Sequence, residues 1–83
     1  MRARVSHIAA RLLAATGGNE VAHTELPGGS VRLEVVIPPN ITSTARYEVL
    51  AVLAEADSYG HGRTEDAERV WATIDPGTGN DQQ

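Results

Sequence analysis

Apolar residues recur along this chain with two periods, one helical and one of two residues, and together they predict the order α-β-β-α-β. Val5, Ile8, Ala9, Leu12, Leu13 and Thr16 keep helical spacing, and Gly17-Gly18 supplies the stop. This helix starts either after a Ser6 cap or near Ala3. In the longer version Arg4, His7 and Arg11 form a row on the side away from the apolar stripe. Residues 20–26 read as a short strand and 30–37 as a better one, in which Val31, Leu33, Val35 and Ile37 alternate with Arg32, Glu34 and Val36. Between them Pro27-Gly28-Gly29 is a turn signal. A three-residue loop with Gly29 left-handed sets Leu26 opposite Ser30, His23 opposite Leu33 and Val21 opposite Val35. A loop one residue longer would flip the faces of the first strand. Pro38-Pro39 ends the ladder, because neither residue donates a backbone hydrogen bond.

The second helix, over residues 43–57, has too much apolar surface for one neighbour. Val49, Val52, Leu53 and Ala56 share one side, and Tyr47, Leu50 and Ala54 the adjoining one. The apolar arc spans roughly 220°, where a half-buried helix needs about 100°. The sheet is expected to cover the first group and the N-terminal helix to cover Leu50 and Ala54. Asn40, Thr42, Ser43 and Thr44 offer N-caps. Gly60 and Gly62 act as breakers, and residues 63–68 read as a polar loop. A third strand follows over 69–75, with Val70, Ala72 and Ile74 on one face and Trp71 and Thr73 on the other. The expected fold is therefore α+β, a small three-stranded sheet with two helices packed on one face. It forms one domain over residues 1–75, followed by a flexible polar tail over 76–83. The third strand can lie parallel beside the second through a right-handed crossover, take an edge after the first strand, or pair with another subunit. No internal repeat is visible.

Composition adds limits. A chain of 83 residues buries only about 60–65% of its unfolded surface, and without cysteine no disulfide or thiolate zinc site can help. That shifts weight toward self-association. No apolar run approaches the ~20 residues of a membrane span, and the N-terminus lacks a signal-peptide pattern, so the expected compartment is the cytoplasm. The seven basic residues are all Arg, and with the abundant Ala, Val and Gly they suggest a GC-rich genome. Residues 1–19 hold Arg2, Arg4 and Arg11 and no acid, whereas residues 20–83 hold all eleven acids, for a net charge of −4. An acidic body repels a nucleic-acid duplex over most of its surface.

Candidate chemistry is sparse. His7, His23 and His61 are widely separated and have no Cys or His-Glu-x-x-His companion, so no metal site is expected. Asp57, His61 and Glu65 stand at four-residue intervals, but Gly60 and Gly62 oppose the helix that would stack them. An Asp57–His61 pair would also lack a nucleophile. No glycine cluster fits a phosphate loop, since Gly77-Thr78-Gly79 has no helix after it. Asn40-Ile41-Thr42 matches a glycosylation acceptor by chance in a chain with no secretory signal. No enzyme activity and no cofactor are expected.

Two features point to binding. Trp71, the single Trp, falls on the strand face opposite to the one the helices should cover, with Val36 beside it; the alternative is an offset alternation that puts Trp71 in the core and Val70 and Ala72 outside. An outward Trp is a frequent interface anchor. The spare side of the second helix (Tyr47, Leu50, Ala54) is the other candidate surface. The pattern thus implies a non-enzymatic protein–protein interaction module, a homodimer or a binder of another protein. The alternative is a small DNA-associated regulator whose contacts are Arg4, His7 and Arg11 on the N-terminal helix. Those arginines can equally pair with the acidic body, for example with Glu65, Asp66 and Glu68.

The run from Ala56 through Asp-Ser-Tyr-Gly-His-Gly-Arg to Val-Trp-Ala-Thr-Ile74 resembles a pattern in small uncharacterised proteins of actinobacteria. There a helix ends in Asp-x-Tyr/Phe-Gly, and a Val-Trp-Ala strand closes the domain. The resemblance covers the second half of the chain. It implies a helix–loop–strand order and carries no activity.

Overall fold

The computed structural model describes residues 2–76. It contains α1 (Arg2–Ala15), β1 (Ala22–Glu25), β2 (Val31–Ile37), α2 (Ser43–Leu53), β3 (Ser58–Arg63) and β4 (Glu68–Ile74). The expected tail falls almost wholly on residues 77–83, which lie outside the described residues.

α1 takes the longer of the two expected forms. Its end is closed by the Gly18 N–H on the Leu13 carbonyl at 2.8 Å, with Gly17 and Gly18 both left-handed (φ +78° and +101°). Only glycine takes two such turns without strain. Thr16 folds its hydroxyl back onto the Leu12 carbonyl at 2.8 Å, so it is buried with its polar atom satisfied.

The β1–β2 connection is the three-residue turn Pro27–Gly29, with the Leu26 N–H on the Ser30 carbonyl at 2.8 Å. It sets His23 opposite Leu33, the register expected from the shorter loop. β1 stops short of the upper part of β2. There the Asn19 amide donates to the Val36 carbonyl at 2.7 Å and takes the place of a ladder bond.

α2 begins under the Thr42 cap, whose hydroxyl accepts from the Ala45 N–H at 3.0 Å. It ends at Leu53, four residues before the expected Asp57. The difference has a local cause. Asp57 already belongs to the sheet end: its N–H donates to the Thr73 carbonyl at 3.1 Å, and its carboxylate accepts from the Asp75 N–H at 2.7 Å.

The sheet has four strands, not three, in the order β1-β2-β4-β3, and every pair is antiparallel. The parallel crossover is therefore corrected, and so is the loop between helix and last strand. Residues 58–63 form β3, and only 64–67 turn. β2 and β4 lie at the centre, with Glu34 opposite Trp71 midway along them. Each half of the chain runs helix, edge strand, central strand. Because the two central strands are antiparallel and both helices lie on one face, a half-turn about an axis normal to the sheet exchanges the halves. The repeat is one of topology and not of sequence.

Val31, Leu33, Val35 and Ile37 of β2 and Val70, Ala72 and Ile74 of β4 form the inner face. They pack with Val5, Ile8 and Leu12 of α1 and Val49, Val52 and Leu53 of α2. The period-two alternation of the central strands and the helical stripes meet in this one core.

Candidate functional site

Three surface regions gather the residues that can do chemistry or bind, and the structure separates them. The first is the seam between the antiparallel helices. Arg4 reaches across to the C-terminal end of α2, giving one bond to Asp57 Oδ2 at 3.1 Å and one to the Glu55 carbonyl at 2.9 Å. Cations are favourable there because the last carbonyls of a helix carry partial negative charge. Arg11 lies between Glu48, at 3.0 Å, and Glu55. Its guanidinium is held charged above the ordinary Arg value, first by the bond to Glu48 and then by that to Glu55. The arginines do pair with the acidic body, but through α2 and Asp57 and not through Glu65, Asp66 and Glu68. His7 is exposed. A phosphate approaching this row meets two guanidinium groups already neutralised by carboxylates.

The second region is the flank of α2 turned away from α1. Tyr47 is 73% and Leu50 51% exposed, and Ala54 is exposed as well. α1 packs on the Glu48 and Glu55 side instead, so the expected cover of Leu50 and Ala54 by α1 is corrected. Arg46 lies one helical turn from Leu50 on this flank. It clamps Glu68 with two bonds, 2.6 Å to Oε1 and 3.1 Å to Oε2, and His61 of β3 bonds the same carboxylate. That shared carboxylate fixes the Leu50 flank on the β3 side of the helix layer. Tyr59, two residues before His61 and on the same face of β3, is 57% exposed. Leu50 and Tyr59 thus flank the margin where α2 lies beside an edge strand, and Tyr47, opposite the buried Val49, Val52 and Leu53 on the helix, faces solvent.

Glu68 is the most perturbed group of the margin. Its carboxyl is lowered from 4.5 to about 2, chiefly by the hydrogen bond from Arg46 and then by that from His61. Asp57 is lowered too, first by the Asp75 backbone N–H and then by Arg4. A cavity of about 300 Å³ opens beside Glu68, between the Ile37-Pro38-Pro39 corner and residues 63–67. Glu68 orients His61, and the hydroxyl in the cavity beside Glu68, that of Thr64, is taken up by the Asp66 and Ala67 backbone. His61 pairs with Glu68 and not with Asp57.

The third region is the outer face of the sheet, where Trp71 and Val36 are both half-buried. The indole lies flat over β3: a Cβ at Gly60 would fall inside it, and one at Gly62 would come within 3.2 Å of Cζ3. Arg32 covers the ring from above, its guanidinium carbon 4.9 Å from the ring centroid. Glu34 lies between Arg32 at 3.6 Å and Arg69 at 3.5 Å. Both ring faces are therefore occupied by the protein's own groups. Gly60 and Gly62 are thus not breakers but strand residues that make room for the indole. The signal was present in Ser58-Tyr-Gly-His-Gly-Arg63, where small and large residues alternate with period two.

The chain matches no protein-family model, no curated protein and no solved structure. Among the described residues, no group of three or more His, Asp and Glu is placed to hold a metal ion, and no helix is long and apolar enough to cross a membrane.

Proposed function

We propose that this protein is a non-enzymatic protein–protein interaction module that works as a homodimer, binding through the α2 flank of Tyr47, Leu50 and Ala54. One observation carries the reading: Tyr47 and Leu50 are 73% and 51% exposed on the helix side that α1 leaves bare. Burying an aliphatic or aromatic side chain of this size gains roughly 1.5–3 kcal/mol, and Tyr is enriched among residues that dominate interface energies. A small domain also gains more from such burial, in proportion, than a large one. Trp71 and Val36 are the lesser surface, because the indole is already seated on Gly60 and capped by Arg32.

Light scattering at micromolar concentration tests the proposal, with a dimer mass expected and a clean monomer sinking it. Leu50→Arg should raise the dissociation constant roughly 30-fold or more, the scale of a central interface residue. Arg11→Ala, on the opposite side of α2, should leave it nearly unchanged.

A further inference from the structure

β3 closes one side of the sheet, with β4 beside it and no strand beyond it among the described residues. Such an edge presents a row of backbone N–H and C=O groups ready to pair, and proteins usually blunt it with Lys, Pro, a bulge or short length. The opposite edge, β1, has only four residues and runs into Pro27. β3 has six, Ser58-Tyr-Gly-His-Gly-Arg63, with no Pro and with its one Arg at the very end. Its two glycines would make a weak strand alone, but Trp71 lies over both and covers them from the outer face.

We propose that β3 is an assembly edge, and that two copies of this chain join antiparallel along it into one eight-stranded sheet. This rests on the homodimer reading above and names the strand that completes it. A two-fold axis normal to the sheet keeps all four helices on one face, and paired residues then share a face only if the axis passes through a residue. Centring on Gly60 sets Tyr59 opposite the second copy's His61, and Arg63 opposite the second copy's Asp57, each twice. Arg63 has no ion pair among the described residues. Asp57 makes both of its bonds through Oδ2. Centring on His61 would instead set the two imidazoles against each other. The register at Gly60 is therefore self-complementary in charge, as a two-fold interface requires.

Area argues the same way. A six-residue strand is about 20 Å long, too little alone for the ~800 Å² that each partner of a stable complex buries. The exposed Leu50 and Tyr59 on the β3 side of the helix layer add apolar area to this edge. An edge contact of β1 with β3 would not close and would propagate as an open sheet. The short β1 disfavours it.

Hydrogen–deuterium exchange on the full-length chain, at concentrations above and below the dimer midpoint, tests the edge. The alternate amides of residues 58–63 that face away from β4 should exchange at least tenfold more slowly in the dimer, and Tyr59→Lys should raise the dissociation constant at least tenfold with an unchanged circular-dichroism spectrum. A dimer whose β3 amides exchange as fast as in the monomer overturns the edge and leaves the α2 interface standing. So does a Tyr59→Lys variant that dimerises normally. A monomer at every concentration overturns both.

Discussion

On the inner face of the sheet, Val31, Leu33, Val35, Ile37, Val70, Ala72 and Ile74 lie beneath two helices and are buried. On the outer face, Arg32, Glu34, Val36, Trp71 and Thr73 are half-buried, with no layer above them among the described residues. The inner side chains are covered from above and the outer ones sideways: Trp71 by lying across Gly60 and Gly62, Arg32 by lying over Trp71, Glu34 by sitting between two arginines. A bare sheet face is usually the first place to seek a partner. Here that face is largely self-covered, and the exposed large apolar side chains belong to the helix layer and the edge strand: Tyr47 and Leu50 of α2, Tyr59 of β3 and, at 42%, Leu13 of α1.

The comparison can be broken most forcefully from the inside. Leu33 sits at the centre of the inner face with no exposed surface. Leu33→Ala should cost about 2–5 kcal/mol in chemical denaturation, the transfer of the lost carbons plus the cavity left behind. A loss below about 1 kcal/mol would mean that the helices do not close over the sheet as described.

The outer face is sharpened by Gly60→Ala. The added methyl would occupy the space of the indole, so Trp71 must swing away from β3 and from Arg32. Overpacking of this kind costs about 1–3 kcal/mol, and Trp71 emission should shift red as the ring enters water. Gly62→Ala, with 3.2 Å to Cζ3, is the control and should cost less. A stabilising Gly60→Ala with unchanged fluorescence would show that the outer face is not held by its Trp.

These two sites also show what the sequence made legible. The inner face was legible because burial on one side of a strand forces alternation, and Val31 to Ile37 alternate without a fault. The hairpin register followed from Pro27-Gly28-Gly29, whose turn chemistry admits few loops. β3 was not legible, since glycines normally weaken strands and only Trp71, on the next strand, explains them. Antiparallel β2–β4 pairing was likewise hidden: the strand that turns the chain back beside β4 was the one read as a loop. The ion pairs of Arg4 and Arg11 depend on how α1 crosses α2, which single-helix patterns do not encode. Of the candidate sites, the exposed flank of α2 was readable from the width of its apolar arc. Which part of that arc stays bare was not.

The smallest effect at neutral pH belongs to Glu68, the one ionisable side chain on the inner face of the two central strands. Arg46 and His61 hold its carboxyl down from 4.5 to about 2, the Arg46 hydrogen bond being the larger cause. A carboxylate depressed in the folded state lends its full stability above the unfolded value, and loses it as the pH falls through the folded value. Stability should therefore drop between pH 4.5 and about 2 as Glu68 takes up its proton. Glu68→Gln cannot titrate, so its stability should fall less steeply over that window. At pH 7 the same change should cost only about 1 kcal/mol, because Arg46 is half exposed and water replaces much of the pair. Urea denaturation from pH 7 to 2 at fixed protein concentration separates the two effects. Equal slopes for the wild type and Glu68→Gln would mean that Arg46 and His61 do not hold this carboxylate, and that the charge at the end of the inner face is solvated like those outside.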